Sequence, residues 1–147
     1  MNSKDDDWNA WQEVLGRHPE LRLVVSHLGL PPRQAQAPGT AEARSAMASV
    51  LALADFPHSR VKLSGFYALT DPGYDYPHQA AWPYVEALLE AYDVGRLLWA
   101  SDFSPCLDWV TFPQTYDLFS KMPFLHDTDR ERIEGANLLA LLDEVEQ

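Results

Sequence analysis

The sequence is poor in cysteine and in basic residues, and it has no long apolar run. One cysteine, Cys106, among 147 residues excludes an internal disulfide and any metal site built from several cysteines. The 11 Lys and Arg residues stand against 22 Asp and Glu, and the formal net charge of −11 repels nucleic acid and anionic lipid. No run of about 18 apolar residues occurs that could cross a membrane. We therefore expect neither a nucleic-acid nor a membrane partner.

The length and the start of the chain set two further expectations. Residues 1–7 are acidic, whereas a secretory signal needs a basic head followed by an apolar stretch, so a cytoplasmic location is expected. Hydrophobic residues make up 46% of the chain, and its length suits one domain with its own core. We treat residues 1–147 as a single domain.

Short apolar runs alternate with longer helical patterns along the chain. The runs predict strands at 21–27, 60–65 and 97–103, and the helical patterns cover 5–17, 41–54 and 79–92. Thr40 is the expected cap of the second helix, and Thr128 with Glu131 has the spacing of a capping box for the last one. Strands separated by helices of this length predict an α/β fold with a parallel sheet and right-handed crossovers.

Polar side chains stand at the carboxyl ends of two predicted strands. Asp102 ends the apolar run LLWASDF, and His27 ends LRLVVSH. Parallel α/β sheets carry their chemistry at the carboxyl ends of the strands, and an imidazole beside a carboxylate suits activation of water or binding of a divalent metal. Either residue alone is more often a hydrogen-bonded turn residue.

Four segments of the chain resemble a known family when they are taken together. In order and spacing, HPELRLVVSHLGLP, VKLSGFY, RLLWASDFSP and DRERIEGANLLALL resemble the carboxyl-terminal part of the TIM-barrel amidohydrolases, a group of metal-dependent hydrolases. The nearest branch looks like the one with sugar lactonases and pyrone dicarboxylate lactonase. The resemblance implies a partial (β/α)8 barrel, with three parallel strands equivalent to the last three of the complete barrel, which takes about 250 residues.

The resemblance also implies roles for individual residues. His27 matches the histidine of the sixth barrel strand, which contacts substrate, acts as a base or binds metal, and Asp102 matches the aspartate of the eighth strand, which binds the divalent ion or takes the proton from the attacking water. Ser64, Gly65 and Tyr67 fall where related lactonases contact substrate. Asn137 matches an asparagine of the final helix that is better explained as structural.

Three metal-ligand positions of the family have no counterpart in this sequence. The HxH pair of the first strand and the histidine of the fifth are missing, since the remaining histidines stand elsewhere: His18, His58, His78 and His126. Of these only His78 is near the expected site, and a surface position at a helix start is expected for it. A stable zinc or manganese site usually needs three or more protein ligands, so a metal site made of His27 and Asp102 would be incomplete, and a reaction without any metal stays open.

Two functional hypotheses therefore stay open, with a weaker third. The first is a hydrolase that opens a lactone, or a related cyclic ester or amide, of a small carboxylated or sugar-derived molecule; Asp102 is the general base, and His27 and Tyr67 orient the carbonyl. The second is a non-catalytic truncated or split-barrel piece that works with a complementary chain carrying the missing strands, or that self-associates through its open sheet. The third is an unrelated small α/β binding domain with the tyrosine-rich loop 66–76 as a ligand clamp.

Overall fold

A three-stranded parallel sheet forms the centre of the protein. The computed structural model describes residues 5–146, with strands β1 (Leu23–Val25), β2 (Ser59–Leu63) and β3 (Leu97–Trp99) in that order across the sheet. Both pairings are parallel. The α/β fold with three parallel strands alternating with helices is thus confirmed.

The helices lie between and after the strands. Their bounds are α1 Asp5–Arg17, α2 Thr40–Ala46, α3 Ala48–Ala52, α4 Phe66–Leu69, α5 Trp82–Tyr92, α6 Phe103–Cys106, α7 Phe112–Asp117, α8 Asp127–Glu131 and α9 Asn137–Glu146, with a π-helical segment Arg132–Ala136 before α9. Short 3-10 turns occur at His27–Gly29, Leu53–Asp55, Gln79–Ala81, Val94–Arg96 and Leu118–Lys121. No helix in the described part of the chain is long and apolar enough to span a membrane.

The sheet has one face against the helices and one that would line the interior of a closed barrel. Side chains alternate along a strand, so Val61 and Leu63 of β2 point into the hydrophobic core among the helices. The opposite face, here called the inner face, carries Val24, Arg60, Lys62 and Leu98, which the strand register places side by side. The inner face therefore carries two charged residues, Arg60 and Lys62, on the side away from the hydrophobic core.

The last helix runs beneath the amino ends of the strands. Asn137 Nδ2 donates hydrogen bonds to the carbonyls of Val94 and Leu97, each at 2.8 Å, which fixes the start of α9 below β3. Near its other end, Glu144 accepts two hydrogen bonds from Arg60 Nη2, at 2.7 and 2.8 Å, and its backbone carbonyl accepts one from Arg22 Nη2 at 2.9 Å. Helix α9 thus extends from below β3 toward β1, and these bonds give Asn137 a structural contact.

All three predicted strands continue past the observed carboxyl ends, and each includes a residue with a left-handed backbone there: His27, Gly65 and Asp102. His27 and Leu28 have φ of 53° and 55°, and Asp102 has φ of 48°. These left-handed conformations are incompatible with an extended strand, so the strands cannot continue through His27 and Asp102; β1 ends at Val25 and β3 at Trp99. The apolar pattern located the strands correctly but did not show where the backbone turns.

Two helix starts also differ from prediction. Gly39, not Thr40, is the residue before α2, and Met47 interrupts the predicted helix between α2 and α3. Helix α8 begins at Asp127 because the Asp129 carboxylate accepts the His126 N–H at 3.0 Å in a capping box. The cap of this helix is therefore His126 rather than the predicted Thr128.

Candidate active site

The carboxyl ends of the three strands bring four of the sequence-predicted site residues together. His27 follows β1, Ser64 follows β2, and Asp102 follows β3, while Tyr67 lies in α4 just beyond β2. Their contacts connect all four: His27 to Ser64, His27 to Asp102, and Tyr67 to Asp102. Parallel topology explains the convergence, because neighbouring strand ends meet at one edge of the sheet.

Ser64 and Gly65 contact the imidazole of His27 and fix its position. Ser64 Oγ lies 2.9 Å from His27 Nδ1, so the hydroxyl and the ring nitrogen share a hydrogen bond. A Cβ on Gly65 would lie 2.7 Å from the same nitrogen, and Gly65 has a φ of +71° that suits only glycine well. The bonded Nδ1 leaves Nε2 as the imidazole nitrogen available to a ligand, since no residue in the described chain bonds it.

The carboxylate of Asp102 is held by a tyrosine and faces the imidazole. Tyr67 donates its hydroxyl proton to Asp102 Oδ2 at 2.8 Å, and His27 Nδ1 lies 3.8 Å from the same oxygen. Burial of the phenol, followed by its hydrogen bond to Asp102, raises the pKa of Tyr67 well above its ordinary value. Tyr67 therefore remains a proton donor, and Asp102 Oδ1 is the oxygen with no hydrogen bond in the described chain.

Packing against Trp109 holds the ring of Tyr67 in place. It stacks on Trp109 with a centroid distance of 6.4 Å and an interplanar angle of 11°. Gly73 allows this packing, because a Cβ there would lie 2.8 Å from the indole of Trp109 and 2.8 Å from the carbonyl of Tyr67. The phenol that holds Asp102 is thus fixed by aromatic packing and a close glycine.

A pocket lined by uncharged groups adjoins this cluster between the ends of β2 and β3. Ser64 and Tyr67 form its border with the cluster, and its wall includes Tyr76, His78 and Gln114. His78 is only 2% exposed, which corrects the expected surface position. Burial lowers the pKa of His78 to about 4, and its Nδ1 shares a 2.8 Å hydrogen bond with Thr70 Oγ1. The imidazole is therefore neutral at pH 7.

The described residues do not fit a complete metal site. No group of three or more His, Cys, Asp or Glu side chains within residues 5–146 is arranged to hold a metal ion. His27 Nε2 and Asp102 supply at most two ligand groups, fewer than the three or more that zinc usually needs from protein. A metal at this edge of the sheet would therefore need further ligands from outside the described residues.

A protein-family model identifies the family of this chain. The family model described as Amidohydrolase matches residues 10–143, nearly the whole chain. The chain belongs to the amidohydrolase family. The resemblance predicted from the four sequence segments is confirmed.

The relatives of this chain include a lactonase and two amidohydrolases of bacteria. L-fucono-1,5-lactonase of Burkholderia ambifaria is 36% identical over 87 residues, which are 59% of this chain and 28% of the lactonase. A crystal structure of a Burkholderia multivorans amidohydrolase with bound zinc has a TM-score of 0.77 at 23% identity and covers 95% of this chain. A Bifidobacterium longum subsp. infantis protein, amidohydrolase 2, has a TM-score of 0.66 at 16% identity and covers 97% of this chain.

This amidohydrolase chain corresponds to only part of those relatives. It covers 50% of the Burkholderia multivorans chain and 48% of the Bifidobacterium chain. It thus spans about half the length of these structures and less of the lactonase. The structural likeness shows the fold, in agreement with a partial barrel.

Local sequence patterns do not reveal two features of the site, the position of Trp109 and the burial of His78. Trp109 gives no periodic signal, because it is a partly exposed tryptophan in a loop. His78 is buried although a surface position is expected for it, and the aromatic residues around it, Phe66 and Tyr76, are the signal that could have indicated burial.

Proposed function

We propose that this chain is the carboxyl-terminal portion of a hydrolase that opens a lactone, or a related cyclic ester or amide, by attack of water. The observation that carries the proposal is the cluster of His27, Ser64, Tyr67 and Asp102 at the carboxyl edge of the sheet. The similarity to a sugar lactonase supports a lactone of a small, sugar-derived molecule as the substrate class.

Asp102 is the general base in this proposal. Its Oδ2 is occupied by the Tyr67 hydroxyl, so Oδ1 takes the proton of the attacking water. The water oxygen bonds to the carbonyl carbon, the ring C–O bond of the lactone then breaks, and the leaving oxygen takes the proton that Asp102 holds, which restores the Asp102 carboxylate. The product is an open-chain hydroxy acid, which then loses its carboxyl proton to solvent.

His27 and Tyr67 orient the reacting groups. His27 Nε2 points away from the Ser64 bond and can donate to the substrate carbonyl when Nδ1 accepts the serine hydroxyl proton. Tyr67 holds the carboxylate in position through its 2.8 Å hydrogen bond. In this mechanism Ser64 and Gly65 act on His27, a different role from the substrate contact that the family resemblance implies.

The proposal is tested by assaying the purified chain on a panel of sugar lactones with a pH-stat, which records acid release. Asp102→Asn should lower the rate by about 100-fold or more, because a general base contributes typically that much. Asp143→Asn, an exposed carboxylate of α9 far from the cluster, is the matched control and should be unchanged. Equal rates for Asp102→Asn and the wild type would remove Asp102 from the mechanism.

A second candidate is a half-barrel that acts only with a complementary polypeptide. Helix α9 exposes Leu138, Leu139, Leu142 and Val145, at 45%, 65%, 51% and 61%, and β3 has no neighbouring strand on its outer side in the described sheet. Exposed apolar surface of this kind usually marks an interface. The half-length match to the solved structures supports an occupant that carries the other barrel strands.

Light scattering after size-exclusion chromatography tests this candidate. The isolated chain should associate with itself, and Leu139→Glu should reduce the association because it places a charge on the apolar face. A compact monomer of 16.6 kDa across the concentration range would contradict the interface. Exposed Glu131→Lys, on α8, is a surface control that should leave the association unchanged.

A further inference from the structure

The inner face of β2 carries a row of polar side chains that leads to the candidate active site. Val61 and Leu63 point into the core, so Arg60 and Lys62 point to the other side. Ser64, the next residue with that alternation, contacts His27 at 2.9 Å. The same face of β2 therefore carries Arg60, then Lys62, then the site.

The two cations of this row differ in their partners. Arg60 is neutralised by Glu144, whose carboxylate oxygens lie 2.7 and 2.8 Å from its Nη2. Lys62 is half-buried, and it has no ion pair or hydrogen bond through its ammonium group to any residue in the described range. A charge on a face that a closed barrel encloses is costly unless an anion approaches it.

The position of Lys62 lets its ammonium group reach the site. A strand rises about 3.3 Å per residue, so Ser64 is about 6.6 Å further along, and the four-carbon stem of lysine spans about that distance. Across the sheet Lys62 is paired with Leu98 of β3, and Asp102 follows four residues further along the chain. An extended Lys62 side chain that runs along β2 therefore has the length to reach Ser64 at the border of the site.

We propose that Lys62 binds the carboxylate group that forms when the substrate ring opens. This rests on the proposed function, in which water adds to the lactone carbonyl and the C–O ring bond breaks to give a hydroxy acid. The lactone is neutral at its ester group and the product is an anion, so the cation interacts more strongly with the product and with the oxyanion that precedes it. The ligand class of Lys62 is therefore a hydroxy acid derived from a sugar lactone.

The test measures binding of L-fuconate, the acid expected from an L-fucono-1,5-lactone, to the full chain by NMR titration of backbone amides around Ser64 and Asp102. Lys62→Gln should weaken binding by about tenfold or more, whereas Lys62→Arg keeps the charge and should retain most of the affinity. Lys121→Gln is the matched control, because Lys121 pairs with Asp117 on the outside of the fold and should not matter. Dispersed amide spectra of each variant establish that it folds.

Separate results decide the two proposals. Unchanged affinity in Lys62→Gln, no L-fuconate binding by the wild type, or equal competition by sulfate would overturn the role of Lys62. Binding of L-fuconate that depends on Lys62 without hydrolysis of any lactone would overturn the proposed reaction and leave the binding site. Hydrolysis that depends on Asp102, with acid binding indifferent to Lys62, would overturn only the role of Lys62.

Discussion

The hydroxyl of Tyr67 donates a hydrogen bond to Asp102 Oδ2 at 2.8 Å, although the two residues belong to different strand–loop units of the fold. Tyr67 follows β2 and Asp102 follows β3, so only the parallel pairing of those strands brings the phenol to the carboxylate. The bond directs one carboxylate oxygen to the protein and leaves the other toward the open edge of the sheet. The proposed roles of the two Asp102 oxygens, with Oδ2 held by Tyr67 and Oδ1 acting as the base, depend on this contact.

This contact predicts a change in the titration of Tyr67. The causes of its raised pKa are burial first and the hydrogen bond and charge of Asp102 next. Asp102→Asn should therefore lower the pKa of Tyr67 while leaving it above that of a free tyrosine, since the burial persists. Tyrosine ring carbon shifts followed by NMR against pH measure this. A pKa of Tyr67 that is the same in both proteins would show that the carboxylate does not act on the phenol.

The close contact between Gly65 and the His27 ring predicts that a methyl group at residue 65 destabilises the protein. In Gly65→Ala the new Cβ would lie 2.7 Å from His27 Nδ1 at a backbone φ of +71°. We expect the free energy of unfolding to fall by about 1–3 kcal/mol and the His27 ring to move from Ser64. Gly16→Ala in α1, where nothing lies within 4 Å of an added Cβ, should be neutral or stabilising. Urea unfolding and imidazole NMR signals check both variants. An unchanged free energy of unfolding and unchanged His27 signals in Gly65→Ala would contradict the close contact between Gly65 and His27.

Buried His78 predicts a pH dependence of stability. Its pKa is lowered from 6.5 to about 4 in the folded protein because burial disfavours the imidazolium. The unfolded chain then binds more protons between these values, so stability is fully present above about pH 6.5 and declines as the pH falls toward 4. Between pH 7 and 5 the loss attributable to His78 is about 2 kcal/mol.

The variant His78→Gln isolates this contribution from that of the carboxylates. It should be less stable than the wild type at pH 7 but lose less stability on acidification, and urea unfolding at several pH values gives the difference. Parallel pH profiles for the two proteins would mean that His78 does not titrate on unfolding.

The ion pair of Arg60 with Glu144 predicts that α9 stabilises the sheet. Arg60 is only 8% exposed, and its Nη1 has no hydrogen bond within the described residues, so Glu144 supplies the neutralising charge. Glu144→Gln should cost about 1–3 kcal/mol of unfolding free energy, less than a fully buried pair because Glu144 is partly exposed. Glu90→Gln, which breaks the exposed pair with Arg44, should cost under about 1 kcal/mol. Equal small effects would show that α9 is held by Asn137 and apolar contacts alone.

Much of the architecture follows from local sequence signals. The three β-rich runs located the strands, and their separation by helical patterns predicted a parallel sheet, because each crossover is too long for a hairpin. The boundaries were less accurate: His27 and Asp102 have left-handed backbone conformations that no residue preference of histidine or aspartate predicts strongly. The buried position of His78 depends on neighbours from several segments, which a local pattern does not contain.

The sequence by itself determined the family, the order of the strands and the placement of His27, Ser64 and Asp102 at strand ends, because apolar periodicity and short motifs are local properties. The tertiary structure decided which atoms meet. Ser64 and Gly65 contact His27, Tyr67 binds Asp102, and Glu144 neutralises Arg60 from 84 residues away. These contacts depend on strand register, on left-handed turns and on the path of α9, all of which are set by packing of distant segments.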